Sequence, residues 1–320
     1  MLRSFLIYLS KAAWAQRVVT RWGFAWRMAS RFVAGEQMDD AIRAVKELNA
    51  RGINATLDQL GEHTSTASEA DAAAAKIVRL LESIDEADVC ANVSIKLTQI
   101  GMGLDDAVCR ANLSRILAAA QGQGNFIRID MEDSPFTDKT LALLGEMRAL
   151  GYGPETVGTV LQSYLYRTDD DARKLLLKRT KIRLVKGAYA EPAEVAFPKK
   201  KDVDANYDRL TALLLDAALE QAPPQNSDGR TPPLAAFGTH DQKRIEFGKS
   251  YAAQIGLPKA SLEIQMLYGI RRDLQEALAK EGYPMRVYVP FGTHWYPYFM
   301  RRLAERPANI WFFVSNFFRK

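Results

Sequence analysis

From residue 53 onward, two spacings of apolar residues alternate along the chain. Short runs rich in β-branched residues predict eight strands: INATLDQL (53–60), ANVSIKLT (91–98), NFIRIDME (125–132), VGTVLQSY (157–164), KIRLVKGA (181–188), LAAFGTH (234–240), LEIQMLY (262–268) and MRVYVPFG (285–292). Between them lie segments with apolar residues every three or four positions, which predict helices. These include SEADAAAAKIVRLLESI, DDAVCRANLSRILAAAQ, TDKTLALLGEMRAL, DDDARKLLLKR, NYDRLTALLLDAALEQA, DQKRIEFGKSYAAQI and RRDLQEALAKEG. A further helix, containing PYFMRRLAER (297–306), follows the eighth run. Strict alternation of this kind implies a parallel sheet, and eight units in about 250 residues is the size of a closed (β/α)8 barrel. A doubly wound sheet is the structural rival, but no GxGxxG follows any of the runs. The expected class is therefore α/β, an eight-stranded barrel, with APPQNSDGRTPP (222–233) a surface loop before the sixth strand.

The first 33 residues break this pattern. In MLRSFLIYLSKAAWAQRVVTRWGFAWRMASRFV, aromatic and aliphatic residues alternate with Arg and Lys, and no acidic residue occurs. SFLIYL is too short to span a bilayer, and Lys11 interrupts it before a signal-peptide core could form. The stretch reads as basic amphipathic helices that either cap the domain or lie on a membrane surface or a partner subunit, a route to a homo-oligomer. The expected division is amino-terminal helices over 1–50, a catalytic barrel over 51–310 and a tail over 311–320.

Composition adds few constraints. With 48% hydrophobic residues in 320, there is ample material for a large core. Lys+Arg exceed Asp+Glu by 43 to 38, a net charge of +5 spread along the chain, which is too mild to indicate nucleic acid. The short run KKKD (199–202) reads as a solvated loop. Cys90 and Cys109 have no metal or redox spacing and read as buried small hydrophobes in a reducing compartment. His63 and His294 read as structural, and no metal site is expected.

Chemistry gathers at the carboxyl ends of the predicted strands, where barrel active sites form. Asp58, Lys96, Asp130 with Glu132, Gln162, Arg183 with Lys186, Thr239 with His240, Glu263 with Gln265, and Tyr288 fall there. Parallel strands are ordinarily apolar throughout, so these side chains require partners or a ligand. An ion pair inside the barrel accounts for any one of them; their convergence on one face points to a site. On the last helix, Tyr298, Arg301, Arg302 and Glu305 share a face beside an apolar stripe of Trp295, Phe299 and Leu303. A surface Arg301/Glu305 pair is one reading, and a clamp for a carboxylate or phosphate is the other.

VSIKL, IRIDMED, VLQSYLYR, IRLVKGAY, FGTHD, EIQMLYG and RVYVPFGTHWYPYFMRRLAER occur in the order and at the spacing of the FAD-dependent proline dehydrogenases. The resemblance covers about residues 30–310 and is closest to the short, single-activity bacterial branch. It implies a distorted (β/α)8 barrel with extra amino-terminal helices, a last helix over the barrel mouth, and FAD bound without a Rossmann fingerprint. The implied reaction oxidises L-proline to 1-pyrroline-5-carboxylate and passes electrons to a membrane quinone. The implied location is cytoplasmic, peripheral to the inner face of the membrane.

By this resemblance Arg301 and Arg302 hold the proline carboxylate, and Glu305 keeps the arginines in the reactive rotamer. Tyr288 packs beside the substrate ring, and Lys96 adds positive charge. Arg183 lies near the flavin N5, with Asp130 and Met131 beneath the isoalloxazine. Gln162 meets the ring edge, while Lys186, Gly187 and Ala188 meet the ring or its ribityl and phosphate chain. Thr239 and His240 approach the pyrophosphate and adenosine part, and Glu263 or Gln265 another polar group. FAD is expected to be non-covalent, since no Cys or His stands in an attachment pattern. Two departures bear on the cofactor and the last helix: FGTHD stands where the family often has FATHN, altering Gly238 and Asp241, and the bulky Trp295 precedes the arginines.

Proline must give up its hydride as the free amine, so cations at Lys96, Arg183, Arg301 and Arg302 would favour the reacting form, with Asp130 expected to be neutralised by Lys96. Without the resemblance, a Schiff-base lyase or aldolase using Lys96 or Lys186, or a membrane-associated binding module built on the amino-terminal helices, remains open.

Overall fold

All eight predicted runs form strands in the computed structural model, which describes residues 8–9, 12–19, 23–61, 64–221 and 228–305. They are β1 (Asn54–Gln59), β2 (Ala91–Ile95), β3 (Ile127–Ile129), β4 (Val157–Gln162), β5 (Ile182–Val185), β6 (Ala235–Gly238), β7 (Leu262–Leu267) and β8 (Met285–Phe291). Every pairing is parallel and sequential, and β8 closes on β1, with Tyr288 opposite Thr56. The barrel is thus confirmed. Expected His63 and the tail over 311–320 lie outside the described residues.

The helices in chain order are α1 (Ala13–Val19), α2 (Gly23–Ala29), α3 (Met38–Asn49), α4 (Ala67–Glu86), α5 (Asp106–Gly122), α6 (Ser134–Ala149), α7 (Thr168–Leu177), α8 (Lys200–Gln221), α9 (Gln242–Gln254), α10 (Arg272–Lys280) and α11 (Trp295–Glu305). Their starts follow local chemistry. Thr66 and Glu69 form a capping box at α4, and the Asp105 carboxylate accepts from two backbone N–H groups at α5. The lysine run 199–202 is not a loop as expected. It enters the first turn of α8, where Lys200 pairs with Asp204 one turn on.

The 1–50 stretch splits in two. Ala41, Ala44, Val45 and Leu48 of α3 belong to the main core, and α3 packs on β8 and β1. It fills the outer-ring place that a helix after β8 would ordinarily take. That leaves α11 available for the mouth. Helices α1 and α2 serve α11: Ala15, Ala25 and Ala29 pack with Trp295, Tyr296, Phe299, Met300 and Leu303, and the Trp26 and Trp295 rings lie 5.4 Å apart. Tyr296 donates to the Leu9 carbonyl at 3.1 Å, and Trp295 Nε1 to Glu36 at 3.0 Å. Among the described residues, no helix is long and apolar enough to cross a membrane.

The segment before β6 is more than a surface loop. The Gly229 carbonyl accepts from Arg286 and the Arg230 carbonyl from Asn92, so residues 228–230 close the amino-terminal end of the barrel. A Cβ on Gly229, which sits at φ +64°, would meet the Asn54 side chain at 2.6 Å. Above this floor the lumen is polar. Arg286 forms a two-point ion pair with Glu263, and both are 1% exposed. Arg128 donates to the Thr159 and Lys181 carbonyls and fits because its register neighbour is Gly158, where a Cβ would lie 2.9 Å from the guanidinium.

Lys181, buried beside Arg128, donates to the Pro232 carbonyl. Burial first, and Arg128 second, pull its ammonium down to about 8. A lysine so depressed binds fewer protons folded than unfolded, so stability rises with pH between about 8 and the ordinary lysine value near 10.4. Denaturant titrations at pH 7 and 10 are expected to show wild type gaining stability relative to Lys181→Met as pH rises. An unchanged difference would place the charge elsewhere. Of the two cysteines, Cys109 is buried with its thiol pushed up to about 12 by burial, and Cys90 is half-buried; both are free.

Candidate active site

Side chains from five strands meet at the carboxyl end of the barrel. Lys96, just past β2, donates to both oxygens of Asp58 on β1 at 3.1 and 3.0 Å. Burial works to lower the Lys96 ammonium, but Asp58, Asp130 and Glu132 outweigh it and hold the group above the ordinary lysine value. Lys96 is therefore a fixed cation. An ammonium held charged is a poor nucleophile, which counts against a Schiff-base role for it.

The expected neutralisation of Asp130 by Lys96 is not what the structure shows. Asp130, just past β3, receives Arg183 Nη2 at 2.5 Å and the Ser94 hydroxyl at 2.8 Å on one oxygen, and the Tyr288 hydroxyl at 2.8 Å on the other. These three donors satisfy Asp130. Lys96 turns instead to Asp58, whose side chain is only 2% exposed and needs a countercharge. The Arg183 guanidinium also lies 5.4 Å from the centre of the Tyr288 ring. Burial, then the Asp130 carboxylate, raises the Tyr288 phenol well above its usual value, so it stays a donor.

The strand-to-helix loops complete the rim. Glu132 accepts from the Thr98 backbone and hydroxyl, and Gln162 donates to the Glu132 carbonyl, tying the ends of β2, β3 and β4 together. After β5 the chain turns at Gly187, at φ +116°, where a Cβ would lie 2.5 Å from the Tyr164 ring. Glu191 then accepts from the Ser134 N–H and hydroxyl at the start of α6 and so straps the loop down. Tyr189 is thereby brought to the mouth. Burial, Glu132 and Asp130 raise its phenol while Arg301 opposes them.

Arg301 and Arg302 stand on the side of α11 away from its most buried residues. Arg301 keeps access to solvent, yet the protein atoms crowded around its guanidinium, and then Arg302, lower it. Arg302 lies 5.2 Å over the Tyr298 ring. The Glu305 side chain lies outside the described residues. A cavity of about 400 Å³ opens beside the mouth, lined by Gln59, Leu60, Thr64, Ser94, Gln99 and His294 among others.

Residues assigned to a cofactor are distributed less uniformly. Lys186 is held by Asp204 at 2.5 Å and Asp241 at 2.7 Å, so the FGTHD aspartate supplies one of its two countercharges. Thr239 accepts from the Asp241 N–H, and His240 Nε2 accepts from the Leu267 N–H. Ala188 is exposed and Met131 is packed in the core. Glu263 does not stand at a strand end. It is the second residue of β7, deep in the lumen on Arg286, and Gln265 donates to it.

The strand-end reading passed over Ser94, Arg128, Arg286 and Tyr189. A charge or hydroxyl inside a parallel strand was the available signal for the first three, and the quoted IRLVKGAY contains the fourth.

Comparisons with known proteins identify relatives over most of the chain. The family model described as proline dehydrogenase matches residues 41–314. Proline dehydrogenase of Deinococcus radiodurans is 44% identical over 298 residues, spanning 91% of this chain and 90% of that one. Proline dehydrogenase 1 of Bacillus subtilis is 39% identical over the full length of both. The crystal structure of proline utilization A from Bdellovibrio bacteriovorus, a protein inactivated there by N-propargylglycine, superposes with a TM-score of 0.77 at 26% identity. That match covers 87% of this chain and 32% of the longer one. Alternation, barrel closure and the arginine-bearing last helix thus converge with sequence relationship, and the chain belongs to the proline dehydrogenase family.

Proposed function

We propose that the barrel mouth oxidises L-proline to 1-pyrroline-5-carboxylate, with non-covalently bound FAD and a membrane quinone as onward electron acceptor. The observation that carries this reading is the charge balance of the mouth. Asp58, Asp130 and Glu132 are each already engaged by Lys96, by Arg183 with Ser94 and Tyr288, and by Thr98. Arg301 therefore meets a mouth whose carboxylates are hydrogen-bonded to other groups, and the forks of Arg301 and Arg302 suit the carboxylate of a small amino acid. With the Glu305 side chain undescribed, its part in holding them is a proposal from the family pattern.

The chain's residues fit a flavin. Arg183 Nε and Gln265 Oε1 are buried without hydrogen-bond partners, as expected of groups on the side of a polar ring edge. Gln162, Lys186, Gly187, Ala188, Thr239 and His240 would line the remainder, with Met131 below, and Lys186 would exchange a carboxylate for a phosphate. FAD supplies hydride acceptance when bound. The protein binds the carboxylate through Arg301 and Arg302, positions the ring against Tyr288, and through its cations disfavours an ammonium at the amine nitrogen.

For the acceptor, Tyr8 at 60% and Trp14 at 57% exposure occur with exposed Arg17 and Arg27 in the amino-terminal stretch, a composition suited to an anionic lipid surface.

The purified protein is expected to be yellow, to bleach anaerobically on adding proline at a rate that rises with pH above neutrality, and to release all its colour on acid precipitation. It is also expected to sediment with anionic liposomes. A colourless protein, or one unmoved by proline, would sink the reaction; colour in the precipitate would sink non-covalent binding; a protein left in the supernatant would remove the membrane side alone.

A further inference from the structure

Ser94 is a polar residue at a position where a parallel strand ordinarily carries a β-branched one. It is the fourth residue of β2, only 2% exposed, and follows Asn92 along the lumen side. Its hydroxyl lies 2.8 Å from Asp130 Oδ1 and 2.7 Å from Arg183 Nη2. Having one proton, it donates to the carboxylate and accepts from the guanidinium. Both members of the Asp130–Arg183 pair therefore contact it.

The pair needs this help because of how it is made. Arg183 contacts Asp130 through a single nitrogen, Nη2 to Oδ1 at 2.5 Å, not through the two-point fork seen between Arg286 and Glu263. Arg183 Nε is buried and has no hydrogen-bond partner. A one-point contact fixes a distance but leaves the guanidinium plane able to pivot about Nη2. Ser94, reached across the lumen from β5, accepts from that same nitrogen, so Nη2 is held between two acceptors and not hinged on one. The Tyr288 ring, itself bonded to Asp130, limits the remaining rotation.

We propose that Ser94 is a positioning residue, whose hydroxyl holds the Nη2 end of the Arg183 guanidinium in place beside the reacting end of the site. The proposal rests on the reading that Arg183 acts beside the flavin. It separates orientation of the chemistry, through Ser94, from binding of the carboxylate, through α11.

Ser94→Ala removes a single oxygen, and Ser94→Thr retains it. Four quantities are measured on the flavin-loaded protein: flavin reduction rate at saturating proline, KM, flavin midpoint potential, and the dissociation constant of cyclopentanecarboxylate, a ring carboxylate with no amine. Ser94→Ala is expected to slow flavin reduction about tenfold and to shift the midpoint potential, because displacing a group at the reacting centre affects rate far more than binding. KM and cyclopentanecarboxylate affinity are expected to stay at wild-type values, and Ser94→Thr to recover most of the rate.

Arg183→Lys serves as the control for the underlying reading. A slow Arg183→Lys beside a Ser94→Ala of normal rate and potential would overturn the proposal and leave the reading standing. Normal values in both would end both. A loss of rate in Ser94→Ala matched by an equal loss of cyclopentanecarboxylate affinity would mean general collapse of the mouth, and would also overturn it.

Discussion

Arg301→Lys and Arg302→Lys are each expected to raise the KM for proline at least about tenfold, equivalent to about 1.4 kcal/mol of lost binding. Two physical reasons act together. A lysine ammonium is a point charge and cannot reproduce the planar two-point contact with a carboxylate. At position 301 the replacement would also enter a setting where burial and the adjacent Arg302 already lower a guanidinium. An arginine so placed stays charged, whereas a lysine starts about two units lower. Arg302 has a third support in the Tyr298 ring 5.2 Å away, which a slender ammonium would cover less well. Steady-state kinetics at fixed pH, with flavin content measured in each variant, decide the matter. Wild-type KM in both would return the two arginines to the role of an ordinary surface helix.

The same helix shows how much of the molecule could be read beforehand. Its arginine face and its apolar stripe were legible because helical spacing is local, and the eight strands were legible for the same reason. What packs behind the stripe was not. Ala15, Ala25 and Ala29 give no more signal than any alanine in a basic amphipathic stretch, yet they seat α1 and α2 on α11. The place of α3 was equally hidden, since its core residues look the same whether they face β8 and β1 or a partner. At the site, residue types were legible and pairings were not. Lys96 could reach either Asp58 or Asp130, and spacing could not reveal that Arg183 arrives from β5 to take the second. Strand ends, too, are set by pairing in space. Glu263 therefore looked like a rim residue although it lies on the floor with Arg286, and the 222–233 stretch looked like a surface loop although its later half plugs that floor.

The choice of Asp58 as the partner of Lys96 gives Lys96→Met a consequence that the opposite pairing would not. Asp58 is in the barrel wall with its side chain 2% exposed, and both its oxygens accept from the one ammonium. Removing that cation leaves a buried carboxylate uncompensated, which typically costs about 3–5 kcal/mol. Lys96→Met is expected to lose stability on that scale, measured by urea unfolding at neutral pH. Asp58→Asn combined with Lys96→Met is expected to recover most of the loss, because an amide carries no charge to compensate. Turnover should behave differently. If Lys96 also lends its charge to the substrate end of the mouth, the double variant remains slow although it is stable again. A double variant that regains both stability and rate would confine Lys96 to supporting Asp58. A single variant as stable as wild type would mean that the Asp58 carboxylate finds its countercharge elsewhere, and the ion pair at the centre of this site would have to be redrawn.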